Sequence, residues 1–136
     1  MQGRILTVAE SDSCGGAGIQ ADIKTILAMG GYASSAITAL TVQNSKGIFG
    51  FEAVSPEFVA RQMRIVLDDI GTDVIKVGIL QNTAMIDAVG DVLDDMLSRE
   101  YKVVIDPAMV DRTGKQLLDM KAVAALKRRL LVRNGY

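Results

Sequence analysis

Residues 5–31 read Ile5-Leu6-Thr7-Val8-Ala9-Glu10-Ser11-Asp12-Ser13-Cys14-Gly15-Gly16-Ala17-Gly18-Ile19-Gln20-Ala21-Asp22-Ile23-Lys24-Thr25-Ile26-Leu27-Ala28-Met29-Gly30-Gly31. A short apolar run, Ile5–Ala9, has the pattern of a buried strand, and a glycine-rich turn follows it at once. Ile19, Ile23, Ile26 and Leu27 then recur at helical spacing until Gly30-Gly31 stops the helix at its C-cap. A buried strand, a tight turn and an amphipathic helix in this order form the first unit of an α/β sheet.

The alternation continues downstream. Ala36–Val42 is a second strand rich in small and β-branched residues, and residues 45–54, with Gly47, Phe49, Gly50 and Phe51, suggest a loop or short excursion from the sheet. Ser55-Pro56 opens a helix carrying Phe58, Val59, Met63, Val66 and Leu67, with Ser55 as N-cap and Pro56 at its first position. Val74–Leu80 is strand-like, with Lys76 as its only charge. Thr83–Leu97 carries one stripe of Met85, Ile86, Val89, Val92, Leu93 and Met96. Lys102–Asp106 is a strand closed by Pro107, and Leu117–Leu131 is a last amphipathic helix ending in basic residues. Strands buried on both faces, with helices between them, predict a doubly wound, mostly parallel α/β sheet.

Composition narrows the function classes. The 136 residues carry 15 Lys plus Arg against 16 Asp plus Glu, a net charge of −1, so no global basic field draws nucleic acid or anionic lipid. The chain has no histidine, which excludes histidine triads and His-bearing zinc sites. One cysteine, Cys14, excludes an intrachain disulfide, and one thiol beside seven methionines suits a reducing cytoplasm. No apolar run approaches the ~18 residues of a membrane span. The expectation is a single soluble cytoplasmic domain, without a nucleic-acid or membrane partner.

Ligands of such sheets sit beyond the carboxyl ends of the strands. Gly16-x-Gly18-x-x-Ala21 formally matches a dinucleotide fingerprint, but the second strand ends Thr41-Val42-Gln43-Asn44, without the carboxylate that holds a ribose. No Gly-Lys-Ser/Thr follows the glycines, so the phosphate-binding P-loop pattern is absent too. Taken alone, the loop fits a tight strand-to-helix turn as well as a ligand site.

The longer string is more specific. Ser11-Asp12-Ser13-x-Gly15-Gly16-Ala17-Gly18-Ile19-Gln20-Ala21-Asp22-Ile23-Lys24-Thr25 closely resembles the hydroxymethylpyrimidine/phosphomethylpyrimidine kinases of thiamine biosynthesis. The resemblance continues through residues 37–44 (Ile-Thr-Ala-Leu-Thr-Val-Gln-Asn), 73–80 (Asp-Val-Ile-Lys-Val-Gly-Ile-Leu) and 103–110 (Val-Val-Ile-Asp-Pro-Ala-Met-Val), in order. It implies a ribokinase-like fold and transfer of the ATP γ-phosphate, with Mg²⁺, to a pyrimidine substrate. It assigns pyrimidine binding to the positions of Ala17, Asp22, Thr41, Gln43, Ile79 and Ala108. Chemistry agrees for two of these: a carboxylate such as Asp22 accepts from an exocyclic amine, and a carboxamide such as Gln43 both donates and accepts. By themselves, Asp22 also fits a first-turn helix acid, and Gln43 an ordinary strand-end polar residue.

Asp106, at a strand end before Pro107, is a candidate for orienting Mg²⁺ or its waters, the alternative being a capping acid. Arg112 lies where the family has Lys or Thr; as a candidate catalytic cation it would stabilise the transferring phosphoryl group, the alternative being a surface arginine in a turn. Cys14 reads as a small turn residue, and Lys127-Arg128-Arg129-Arg133 as a solvated helix end.

The sequence departs from the family pattern at several positions. Glu10 replaces a usual glycine, placing a carboxylate where it would crowd the pyrimidine or repel its phosphate. Ile79 replaces methionine, Ala108 replaces valine, and Arg112 keeps lysine's charge but not its geometry. The family's Thr-Pro-Asn-x-x-Glu segment and its Gly-Thr-Gly-Cys/Asp anion-hole loop, which carries the catalytic base, do not occur in residues 1–136. The expectation is therefore the N-terminal part of a ribokinase-like kinase domain: a truncated fold that lacks most of the ATP site and is inactive alone. The alternative is a non-catalytic remnant that binds pyrimidine weakly or self-associates as a homo-oligomer through an exposed sheet edge.

Overall fold

A computed structural model describes residues 2–96, 100–110, 114 and 116–132. In chain order the elements are β1 (Arg4–Asp12), α1 (Gly18–Ala28), β2 (Tyr32–Asn44), β3 (Gly47–Ala53), α2 (Pro56–Asp69), β4 (Val74–Val77), α3 (Thr83–Asp95), β5 (Lys102–Ile105) and α4 (Met120–Leu126). A π-helical turn, Lys127–Leu131, extends α4. The sheet order is β3-β2-β1-β4-β5. All neighbours are parallel except β3, which pairs antiparallel with β2.

The chain reverses sheet direction where β1 has β2 on one side and β4 on the other, which opens a crevice at the strands' C-terminal ends. Alternation in β1 sorts its side chains. Leu6 and Val8 join a core with Met63, Ile75, Val77, Ile86 and Leu93, built by α2, α3 and α4. Residues 5, 7 and 9 face α1 instead. Helix starts follow from local chemistry: the side chains of Ser55, Asn82 and Asp119 accept the amides of Phe58, Met85 and Ala122 at 3.3, 2.9 and 2.7 Å.

Several elements differ from the sequence expectation: β1 runs on to Asp12 rather than stopping at Ala9, and β4 stops at Val77 rather than Leu80. Residues 45–54 are not an excursion from the sheet but mostly its antiparallel edge strand. Asn44 Oδ1 accepts the Lys46 amide at 2.8 Å and closes a two-residue hairpin turn. Ile48, Phe49 and Phe51 of that strand are exposed, so no burial pattern marks it. The second strand is longer than Ala36–Val42, because pairing with β1 begins at Tyr32 and pairing with β3 runs to Asn44. The last helix begins at Met120 rather than Leu117, since Asp119 caps it and the Leu117 amide is bonded to the Met109 carbonyl. Arg112, the expected helix end at Leu97, and Arg133 lie outside the described residues.

Candidate functional site

The loop after β1 is built around Asp12. Its carboxylate accepts the amides of Cys14, Gly16 and Ala17 at 2.7, 2.8 and 2.8 Å. Gln20 clamps the same strand end, accepting the Asp12 amide and donating to Ser11 Oγ, each at 2.7 Å. Burial pushes the Asp12 carboxyl up, but the amides of Cys14, Ala17, Gly16 and Gly15 together hold it below the ordinary carboxylate range. These amides are the donors a phosphate would need at a glycine-rich turn, and an internal carboxylate fills them. The formal dinucleotide match thus has its anion cradle occupied by the chain itself.

Gly18 opens α1 at φ +56°, and a Cβ there would stand 2.2 Å from the Glu10 carbonyl oxygen. Only hydrogen fits, so β1 and the helix start meet backbone to backbone. The contact places Ala17, Ala21 and Asp22 of the loop and helix beside Ala9 and Glu10. With Lys76 of β4, and Gly78, Ile79, Asp106 and Ala108 just past β4 and β5, they line a cavity of about 260 Å³. Four of the six expected substrate-binding residues (Ala17, Asp22, Ile79 and Ala108) line it, as does Asp106.

Thr41 and Gln43 are placed differently. Thr41 donates to the Ser11 carbonyl at 2.8 Å, and Gln43 Nε2 donates to Thr41 Oγ1 at 2.9 Å. Ser13 Oγ bonds both the amide and the carbonyl of Gln43 at 2.8 Å. These bonds fasten the end of β2 to the loop, and neither side chain lines the cavity.

Lys76 is the cavity-lining residue that the sequence reading did not single out. Its ammonium sits 3.0 Å from both carboxylate oxygens of Asp22, and the buried Thr7 hydroxyl donates to Asp22 Oδ2. The pair is about three-quarters or more buried. A lone lysine in an apolar parallel strand was the available signal, since such a cation needs a partner.

Glu10 reaches the same cavity from a register shift between β1 and β2. Its Oε2 is buried and, among the described residues, has no hydrogen-bond partner. Burial raises its carboxyl above the ordinary value, and the Asp22 and Asp12 charges add to this. The Glu10 amide and Lys76 pull the other way. Among the described residues no three His, Cys, Asp or Glu side chains are grouped closely enough to hold a metal ion. No helix of the described residues is long and apolar enough to cross a membrane.

The family model for phosphomethylpyrimidine kinase matches residues 12–134. The chain belongs to that family. It is 49% identical over 129 residues to the thiamine biosynthesis bifunctional protein ThiED of Geobacter sulfurreducens, covering 95% of this chain and 26% of that one. It is 43% identical over 126 residues to the hydroxymethylpyrimidine/phosphomethylpyrimidine kinase of Escherichia coli, covering 93% and 47%. Among solved structures, the phosphomethylpyrimidine kinase of Clostridium difficile superposes with a TM-score of 0.87 at 38% identity, covering 94% of this chain and 55% of that one. The pyridoxal kinase of Staphylococcus aureus in complex with pyridoxal gives 0.79 at 29% identity, covering 94% and 45%. This ribokinase-like chain thus spans about half the length of the Escherichia coli kinase and about a quarter of the Geobacter sulfurreducens bifunctional protein.

Proposed function

We propose that this chain is the substrate-binding half of an ATP-dependent kinase acting on hydroxymethylpyrimidine in thiamine biosynthesis. The observation that carries the reading is the convergence of Ala17, Asp22, Ile79, Ala108 and Asp106 on one cavity at the C-terminal sheet edge. Ala17, Ile79 and Ala108 offer small apolar surface to a flat ring. Asp22, fixed by Lys76 and Thr7, offers acceptor lone pairs to an exocyclic amine. Thr41 and Gln43 act at one remove: their bonds fasten the end of β2 to the loop that carries Ala17.

A single carboxylate at a strand end suits Mg²⁺, which is commonly held by one or two carboxylates together with waters and substrate phosphates. Asp106 would hold it, and the ion would neutralise charge on the nucleotide's phosphates. Arg112 is the candidate cation for the transferring group. The chain's own residues bind and orient the alcohol. The anion-hole loop that the family resemblance implies, with its base, is not found in residues 1–136, so the expected outcome for these residues alone is binding without turnover. A reducing cytoplasm suits the exposed Cys14 thiol.

Calorimetric titration with hydroxymethylpyrimidine is the test. Asp22→Ala should weaken binding by at least roughly tenfold, the value of one or two charge-assisted hydrogen bonds. Equal affinities for wild type and variant would remove Asp22 from the site. Turnover of hydroxymethylpyrimidine with Mg·ATP by the 136-residue chain would overturn the half-site reading. A second reading, a non-catalytic module that self-associates, is favoured by the outward Leu40, Val42, Ile48, Phe49 and Phe51 on the β2–β3 hairpin. Sedimentation of the chain at increasing concentration separates the two.

A further inference from the structure

The charge inside the cavity is unevenly spent. Three carboxylates, Glu10, Asp22 and Asp106, face one ammonium, Lys76. That ammonium is engaged with both oxygens of Asp22 at 3.0 Å, so among the described residues the cavity presents no cation that is not already paired. Glu10 Oε2, by contrast, is buried and has no partner among those residues. An acceptor in that state gains most from a ligand that brings an N–H or O–H donor, and loses most beside a second anion. The space is also small: about 260 Å³, below the usual range for a drug-sized ligand.

We propose that Glu10 is a specificity-determining residue, which accepts a hydrogen bond from an amino or hydroxymethyl group of the ligand and excludes its phosphate ester. The cavity therefore selects the unphosphorylated aminopyrimidine alcohol over the phosphomonoester, restricting the site to the first of two successive phosphorylations. This inference rests on the pyrimidine reading above and sharpens it to one of the family's two substrates.

The test is calorimetry on the full 136-residue chain with two probes, hydroxymethylpyrimidine and its monophosphate. The proteins are wild type, Glu10→Gln and Glu10→Gly. Wild type should prefer the alcohol by at least roughly tenfold. Glu10→Gln, which keeps the side chain's size and removes its charge, should tighten the monophosphate by roughly tenfold. Glu10→Gly should tighten it further by removing the bulk as well. A wild-type chain that binds the monophosphate as tightly as the alcohol overturns the proposal without needing any variant. So does an unchanged alcohol-to-phosphate ratio in Glu10→Gln whose thermal melt matches wild type. If neither probe binds any of the three proteins, the pyrimidine reading itself fails, and the Glu10 assignment falls with it. Binding of the alcohol with no change of ratio removes Glu10 alone.

Discussion

The two faces of the sheet are finished to different degrees. On one, α2, α3 and α4 close over Leu6, Val8, Ile75 and Val77, and Met63, Ile86, Leu93 and Leu130 are inaccessible to solvent. On the other, α1 packs against β1 and β2, while Val104 of β5 is 52% exposed. A groove of about 400 Å³ runs there past Ile5, Ile26, Val74 and Val104. The Asp22–Lys76 pair stands on this open face and lines both the groove and the smaller cavity. The dry face supplies stability, and the polar groups of the candidate site gather on the face that is only partly covered. That division is what an α/β scaffold permits, because a strand buried on one side can still carry charge on the other.

The contrast can be broken most directly by truncating one isoleucine on each side. Ile86→Ala, in the closed core, should cost about 4 kcal/mol, and Ile26→Ala, beside the groove, about 2 kcal/mol by chemical denaturation. Equal losses would show the α1 face to be as well packed as the other. Next in size, Asp12→Ala leaves three loop amides without their acceptor and should cost about 3 kcal/mol, although it deletes no apolar contact. Because the folded-state value of Asp12 is depressed, its contribution is complete above the ordinary carboxylate value. The wild-type advantage over Asp12→Ala should shrink as pH falls through the lowered one.

The smallest effect has the opposite sign. Glu10 is held above its ordinary value, so the folded chain binds that proton more tightly than the unfolded one. Its contribution is complete below the ordinary value and is lost as pH rises through the raised one. Glu10→Gln should therefore be the more stable protein at neutral pH, with the gap closing on acidification. A gap that stays constant with pH would mean that the carboxyl is not penalised by its burial. Two acids, two residues apart, thus bend the stability curve in opposite directions.

Much of this architecture was legible beforehand, for physical reasons. Parallel strands buried on both faces leave continuous apolar runs such as Ile5–Ala9, and Ser55-Pro56 is an explicit helix start. β3 escaped because its apolar residues face outward, where no periodicity distinguishes a strand from a loop. The ends of β2 escaped because Ser34, Ser35, Gln43 and Asn44 pair through their backbones, whatever their side chains. In the site, the family resemblance led to Ala17, Asp22, Ile79 and Ala108, and the fold brings these four together around one cavity. Lys76 stayed hidden because its partner is 54 residues away, and the Asp12 cradle because its acceptors and donors meet only when the turn closes.

The approach of Gly18 to the Glu10 carbonyl has a consequence for how this chain tolerates change. A single added methyl group at residue 18 would drive the end of β1 away from the start of α1, two elements that both line the cavity. The tolerance of the whole pocket is thus set by the radius of one hydrogen atom. A substitution there would register as a lost binding site before it registered as a lost fold.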